Sequence, residues 1–243
     1  MTSYATFSFS LDDERAPQCC LSVASSGSMK VVRDSPNRER FFASLGIESD
    51  RVVSVTQTHS QTVHIAETTE DFLHLPEGDG ILTVNPRLVP CVTVADCMPI
   101  WLYERRTGCF GVLHSGWKGT GIIGEALKCA ETAWGARAQD FYVVFGPHIR
   151  DCCYTVDEER AAYFTALAGS SCLTLDRERK ESGNQWPWRL SLSRANAELC
   201  TRAGIPSGHI RDSLECTSCN TKWGSHRRQG APGFTQMAAF IRR

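Results

Sequence analysis

Residues 91–116 read Cys91-Val92-Thr93-Val94-Ala95-Asp96-Cys97-Met98-Pro99-Ile100-Trp101-Leu102-Tyr103, then, past residues 104–108, Cys109-Phe110-Gly111-Val112-Leu113-His114-Ser115-Gly116. Runs rich in β-branched and aromatic residues, separated by Asp96-to-Pro99 and Arg105-to-Gly108 breaks, predict strands over 91–95, 100–103 and 109–114. The apolar character of Val92-Thr93-Val94-Ala95 places the first of these centrally in a sheet. Working outward, similar runs at 51–56, 62–66, 81–84 and 141–145 predict further strands, the last closed by Gly146-Pro147. Helices are expected over 35–46, with Ser35 as N-cap and Pro36 at the first position, and over 157–168, capped by Asp157 and stopped by Gly169. Another is expected after the 116–121 loop, with Ile122, Ile123, Ala126, Leu127, Ala130 and Trp134 on one face, and a last one over 191–203 before Gly204. Strands alternate with helices, yet several strands follow one another directly. The fold class expected is therefore α/β with mixed, layered sheets flanked by helices, an α/β/β/α-type sandwich, in a single catalytic domain over 1–243.

The chain of 243 residues is long enough to bury a substantial core, and 42% hydrophobic with 22% charged residues is a globular composition. A formal charge of −1, from 26 basic and 27 acidic residues, gives no electrostatic footprint for nucleic acid or an anionic membrane. No apolar run is long enough to span a bilayer. Met1-Thr2-Ser3-Tyr4 shows no basic region followed by an apolar one, so a cytoplasmic, reducing setting is expected. In that setting most of the 12 cysteines read as small buried apolar groups, with one or two as ligands or nucleophiles. The vicinal pairs Cys19-Cys20 and Cys152-Cys153 are poorly suited to bond to each other.

Reactive side chains sit where three predicted strands end: Thr58-His59-Ser60, Asp96-Cys97-Met98 and His114-Ser115-Gly116. Strand ends present side chains to a crevice, so the three can converge. A thiolate with two imidazoles is a good zinc set, and three protein ligands leave a fourth position for water, as a catalytic site requires. The residues lie far apart in sequence, and composition alone favours a buried thiol with two hydrogen-bonded histidines. Cys97 with His114 also permits a thiolate nucleophile activated by imidazole. Asp96 reads as a carboxylate orienting a ligand histidine, as an acid–base group, or as a turn residue bonded to its own backbone.

The loop Gly116-Trp117-Lys118-Gly119-Thr120-Gly121 opens a helix, and its amides with Lys118 offer an anion site, although no P-loop pattern is completed. Cys216-Thr217-Ser218-Cys219 is a CxxC followed by Ser225-His226-Arg227-Arg228; no second CxxC or HxxxH completes a zinc site, and packing thiols are the plainer reading. Arg227 and Arg228 read either as a phosphate grip or as a solvated basic turn. His64, His74, His148 and His209 are expected to be structural or exposed. The zinc deaminase signature is absent, because Glu215 rather than proline precedes Cys216.

Taken in order, Gln57-Thr58-His59-Ser60-Gln61-Thr62-Val63, Thr93 to Pro99, His114 to Gly119, Gly146-Pro147-His148-Ile149 with Cys152-Cys153-Tyr154-Thr155-Val156, and Cys216-Thr217 with Ser225 to Arg228 resemble the blocks of one family. It was long labelled multicopper polyphenol oxidase or laccase-like, and includes zinc enzymes with purine nucleoside phosphorylase and adenosine deaminase activity. The resemblance covers about residues 35–240 and favours the metal reading of the three strand ends. It implies zinc held by His59, Cys97 and His114; together with the reading of the residues, Cys97, His114 and Asp96 are expected to carry catalysis. It also implies phosphorolysis of adenosine, inosine, guanosine or methylthioadenosine, and hydrolytic deamination of adenosine. Lys118, Arg227 and Arg228 are the cations expected to meet phosphate.

Three segments depart from the family pattern. The N-terminal part is shortened, with Ala24-Ser25-Ser26-Gly27-Ser28-Met29-Lys30 where a glycine- and asparagine-rich strand pair is usual. Ser115 and Lys118 replace alanine and arginine, and Trp223-Gly224 stands before Ser225 in place of bulky aromatics. Competing expectations are a copper-dependent polyphenol oxidase, for which seven histidines are few, a cysteine hydrolase acting on cell-wall precursors, and a metal-stabilised binding module without turnover.

Overall fold

The computed structural model describes residues 3–31 and 36–243; the expected cap Ser35 lies outside them. The strands are β1 (Tyr4–Phe7), β2 (Gln18–Ser22), β3 (Val52–Ser54), β4 (Val63–Ile65), β5 (Gly80–Thr83), β6 (Val89–Val94) and β7 (Met98–Glu104). They continue with β8 (Phe110–Ser115), β9 (Phe141–Phe145), β10 (Thr155–Val156), β11 (Leu173–Leu175), β12 (Trp188–Leu190), β13 (Ile210–Asp212) and β14 (Met237–Arg242). The helices are α1 (Pro36–Ser44), α2 (Ile122–Trp134), α3 (Glu158–Ala168), α4 (Arg177–Glu181), α5 (Leu192–Arg202) and α6 (His226–Gln229).

Two mixed sheets stack face to face. One runs β1-β2-β14-β6-β3 and the other β13-β9-β7-β8-β5-β4, with β10-β12-β11 as a small third sheet. Alternation along each strand shows how the layers form. From β14, Met237, Ala239 and Ile241 enter the inter-sheet core, where they meet Trp101 and Tyr103 of β7 and Val112 of β8. The intervening Ala238 and Phe240 turn outward and pack with Phe41 and Phe42 of α1. From β7, Ile100 and Leu102 face the other way, against Ile122, Ile123, Ala126 and Ala130 of α2. The order is thus helix, sheet, sheet, helix, the α/β/β/α-type layering expected. Strands buried on both faces read as continuous apolar runs, which is why the middle of the chain was legible. Trp101 also joins the layers, its indole Nε1–H donating to the Phe240 carbonyl at 3.1 Å.

Cys19, Cys20, Cys91, Cys109, Cys172 and Cys200 are buried packing groups, as composition led us to expect. Asp157 and Ser191 cap α3 and α5 by accepting from the amides of Arg160 and Arg194. Close packing between strands is most severe at Gly111, where an added Cβ would stand 2.1 Å from the Ile81 carbonyl oxygen of β5. Gly111→Ala is therefore expected to cost about 3 kcal/mol through forced strand separation, read as a lower denaturant midpoint. An unchanged midpoint would contradict this packing.

Candidate metal centre and its cavity

The chain passes between the two stacked sheets at residues 95–97, since β6 belongs to one sheet and β7 to the other. Asp96 makes this corner with φ 86°, a left-handed conformation that Asp tolerates better than most residues. Cys97 is set down at the end of β7, beside His114 near the end of β8. His59, in the loop after β3, also has a left-handed φ, of 59°. Non-glycine residues held in this region cluster at sites of function. The imidazole nitrogens of His59 and His114 and the Cys97 sulfur lie within 4.8 Å of one another and form a group able to hold a metal ion. Bonds of about 2.0–2.3 Å to one tetrahedral ion would bring such atoms about 3.5 Å apart, so only small shifts are needed.

Asp79 organises this set. Its carboxylate is fully buried. One oxygen lies 2.7 Å from His114 Nδ1. The other accepts from the Thr58 amide at 3.2 Å, the Ser60 amide at 2.6 Å and the Ser60 hydroxyl at 2.8 Å. A single carboxylate thus fixes the loop that carries His59 and directs His114 to the centre through Nε2. Burial alone would raise the Asp79 pKa, but the bonds from His114 and Ser60 outweigh it and hold the group at about 2. Gln57 clamps the same loop to β6, accepting from the Thr93 amide and donating to its carbonyl. Gly116 leaves the centre room, because a Cβ there would lie 2.6 Å from Cys97 Sγ.

In the metal-free protein, burial pushes the Cys97 thiol up, but the charge and hydrogen bond of His114, with the bond from His59, bring it down to about 6. Burial opposes charge on His114 as well, yet the Cys97 thiolate and Asp79 raise it to about 9. Thiolate is the reactive form. Alkylation of Cys97 in chelator-treated protein should therefore rise with a midpoint near pH 6 and be suppressed by metal. A midpoint near that of an ordinary thiol would contradict the pairing.

Above the centre opens a cavity of about 460 Å³, a size suited to a small molecule. Trp117, Ile149, Tyr154, Leu192 and Phe234 supply apolar wall, with Gln57, His226 and Arg227 as polar points. The Arg160 guanidinium lies 3.8 Å from the Trp117 ring centroid and holds that wall.

The other residues singled out in the sequence separate by role. The Asp96 carboxylate does not touch either histidine: it accepts from Thr217 Oγ1 at 2.6 Å and the Arg227 amide at 2.6 Å. The carboxylate bonded to a candidate ligand histidine is Asp79, which sequence reasoning missed; its one local signal was Gly78-Asp79-Gly80 directly before a strand. Arg227 reaches the cavity, its guanidinium anchored on the Cys153 carbonyl at 2.9 Å. Arg228 instead donates to the carbonyls of Thr217, Ser218, Asn220 and Trp223, which ties down the preceding loop. Lys118 lies 5.6 Å from the Trp117 ring centroid and is not among the cavity-lining residues. The 116–121 loop packs on the His59 segment, with Gln61 Nε2 donating to the Thr120 carbonyl at 2.8 Å. That contact brings the Gln61 amide close to the helix start, where an anion had been expected. Gln57, Tyr154, Arg160 and Phe234 also escaped notice as site residues, because nothing in their local sequence marks a shared cavity. The CxxC cysteines, which lacked partners in the sequence, meet Cys152 and Cys153 and form a second group able to hold a metal.

The fold and the metal-capable centre agree with the comparisons with known proteins. The chain belongs to the family described as multi-copper polyphenol oxidoreductase laccase, whose model matches residues 20–243. It is 33% identical over 226 residues to the purine nucleoside phosphorylase YlmD of Geobacillus stearothermophilus, spanning 85% of this chain and 77% of that protein. The crystal structure of YlmD from the same organism superposes with a TM-score of 0.80 at 27% identity, covering 96% of this chain and 98% of the other. A Bacillus licheniformis hypothetical protein, YfiH, gives 0.82 at 26% identity, covering 93% and 92%.

Proposed function

We propose that this chain is a zinc-dependent purine nucleoside enzyme. It would catalyse phosphorolysis of adenosine, inosine, guanosine or methylthioadenosine, and hydrolytic deamination of adenosine. The observation that carries the reading is the convergence of His59, Cys97 and His114, oriented by Asp79, on the floor of a cavity of about 460 Å³ with aromatic walls. The relatives named as purine nucleoside phosphorylases supply the substrate class. When bound, zinc contributes a Lewis acid and lowers the pKa of water at its open position.

The chain's own residues divide the remaining work. Trp117, Tyr154 and Phe234 offer faces and edges for a purine. Arg227 is the cation best placed to counter phosphate, since its amide is fixed by Asp96 and its guanidinium stands at the wall. Lys118 and Arg228, also expected to meet phosphate, have less support from their surroundings. His226, edge-on to Phe234 at 4.8 Å between ring centroids, offers a ring nitrogen to hydrogen-bond a leaving base. Asp96 acts here through Arg227 and Thr217 and has no direct support as an acid–base group.

A copper oxidase is less well supported. The described residues form two metal-capable groups, one of two histidines and a cysteine and the other of four cysteines, and neither resembles a multinuclear copper cluster. A blue-copper centre built on His59, Cys97 and His114 would commonly add an axial methionine, yet Met29, Met98 and Met237 are each packed in apolar core clusters. Chromatography of adenosine incubations tests the proposal. Adenine is expected only with phosphate present, and inosine regardless of phosphate. Absence of both products at any zinc loading would overturn it.

A further inference from the structure

Cys152 and Cys153 follow β9 on one loop; Cys216 and Cys219 follow β13 on another. Their four sulfurs lie within 4.8 Å of one another. The resolved separations are 3.8 Å for Cys152–Cys153, 3.7 Å for Cys152–Cys219 and 3.3 Å for Cys153–Cys219. Four thiolates at about 2.3 Å from one tetrahedral ion stand about 3.8 Å apart, close to the spacing found. We propose that Cys152, Cys153, Cys216 and Cys219 form a second, tetrathiolate metal site that takes a soft divalent cation of the zinc class and staples together two loops of the cavity wall.

Charge and hydrogen bonding fit that role. A divalent ion with four thiolates carries a net charge of about −2. Arg189 and Arg227 stand over this corner, donating to the Cys152 carbonyl at 3.0 Å and the Cys153 carbonyl at 2.9 Å. The four ligands complete one coordination shell and leave no open position, so the site is structural.

Its mechanical consequence reaches the cavity through neighbouring residues. Tyr154, next to Cys153, forms part of the wall. Thr217, next to Cys216, donates to the Asp96 carboxylate, which in turn holds the Arg227 amide. The two loops are also joined by the short pairing of His148 with Cys216, in which the His148 amide donates to the Glu215 carbonyl at 3.3 Å and the Thr217 amide to the His148 carbonyl at 3.0 Å, and Arg150 pairs with Asp212 at the end of β13 at 2.9 Å. A tetrathiolate ion adds a covalent-strength link where few backbone bonds cross. The sequence reading did not bring the four cysteines together because it sought a second CxxC, and the pair that joins Cys216 and Cys219 is vicinal.

The inference does not depend on the nucleoside reading, and its test reads metal rather than activity. Full-length protein purified under reducing conditions, without a metal-affinity step, should carry two equivalents of zinc by mass spectrometry. The double variant C216S/C219S should retain one equivalent, as should Cys97→Ser. Cobalt-loaded Cys97→Ser should show the intense thiolate-to-cobalt absorption of a four-sulfur site, a readout that holds even if the double variant fails to fold. A single equivalent in the wild type that is lost in Cys97→Ser would overturn the proposal. So would a Cys153–Cys219 disulfide in freshly reduced protein, or cobalt-loaded Cys97→Ser without thiolate absorption.

Discussion

Cys97→Ser is expected to remove the metal from the His59–His114 centre and to lower nucleoside turnover by about a thousandfold or more, as loss of a central catalytic group does. A serine hydroxyl is a poor ligand for a zinc-class ion beside two imidazoles, and it cannot supply the thiolate that His59 and His114 stabilise. The exchange of sulfur for oxygen leaves no cavity but removes the thiolate paired with His114, so the melting temperature of the metal-free protein at neutral pH should fall modestly. The result separates two chemistries. Concerted loss of metal and activity supports metal catalysis. Loss of activity in a protein that never held metal at this centre assigns Cys97 as a nucleophile instead.

The second large effect is expected at Asp79, which does not itself line the cavity. Asp79→Asn keeps the volume but presents an amide N–H₂ where the carboxylate accepts from Thr58 and Ser60 on one side and pairs with His114 on the other. Either His114 then faces a donor and loses the acceptor that fixes its tautomer, or the Thr58 and Ser60 amides face one and the loop carrying His59 loses its anchor. Metal affinity should fall by about 10- to 100-fold, the range seen when such supporting partners are removed. Competition against a chelator of known affinity reads this directly. Ser60→Ala removes one bond to the carboxylate and leaves the other contacts, so its effect should be much smaller. Equal affinities for wild type and Asp79→Asn would show that the carboxylate does not organise the centre.

These effects also show what the sequence could and could not reveal. Strands β5 to β9 were legible because both faces are buried, which fills them with Val, Ile, Leu and aromatics between clear breaks. The other sheet was seen only through β3 and β6. Its β14, Met237-Ala238-Ala239-Phe240-Ile241-Arg242, has two alanines where a strand usually places branched residues. It is a strand because it lies between β2 and β6 and packs on both faces, a tertiary fact. Strands β10 to β12 are two or three residues each, too short for any periodicity to show.

At the site, residue chemistry and motif order pointed to His59, Cys97 and His114 as ligands, and the fold brings all three together. The support around them was hidden. Asp79 and His114 lie in neighbouring antiparallel strands' register, with Gly80 opposite Leu113, and no local spacing encodes that pairing. Asp96 shared a motif with Cys97, which made it the obvious carboxylate. Yet its left-handed corner directs the side chain to Thr217 and Arg227 rather than to the imidazoles. Arg227 and Arg228 are adjacent and chemically alike, but one stands at the cavity and the other holds a loop by its carbonyls.

Reconstitution with single metals separates zinc-dependent nucleoside chemistry from copper-dependent oxidation. Protein stripped by chelator should be divided, loaded separately with zinc and with copper, and assayed with adenosine and phosphate and with a phenolic substrate. Zinc should restore adenine formation, and copper should give neither efficient phosphorolysis nor phenol oxidation. Full nucleoside turnover in the stripped protein, or phenol oxidation restored by copper alone, would contradict a zinc-dependent purine nucleoside enzyme built on His59, Cys97 and His114.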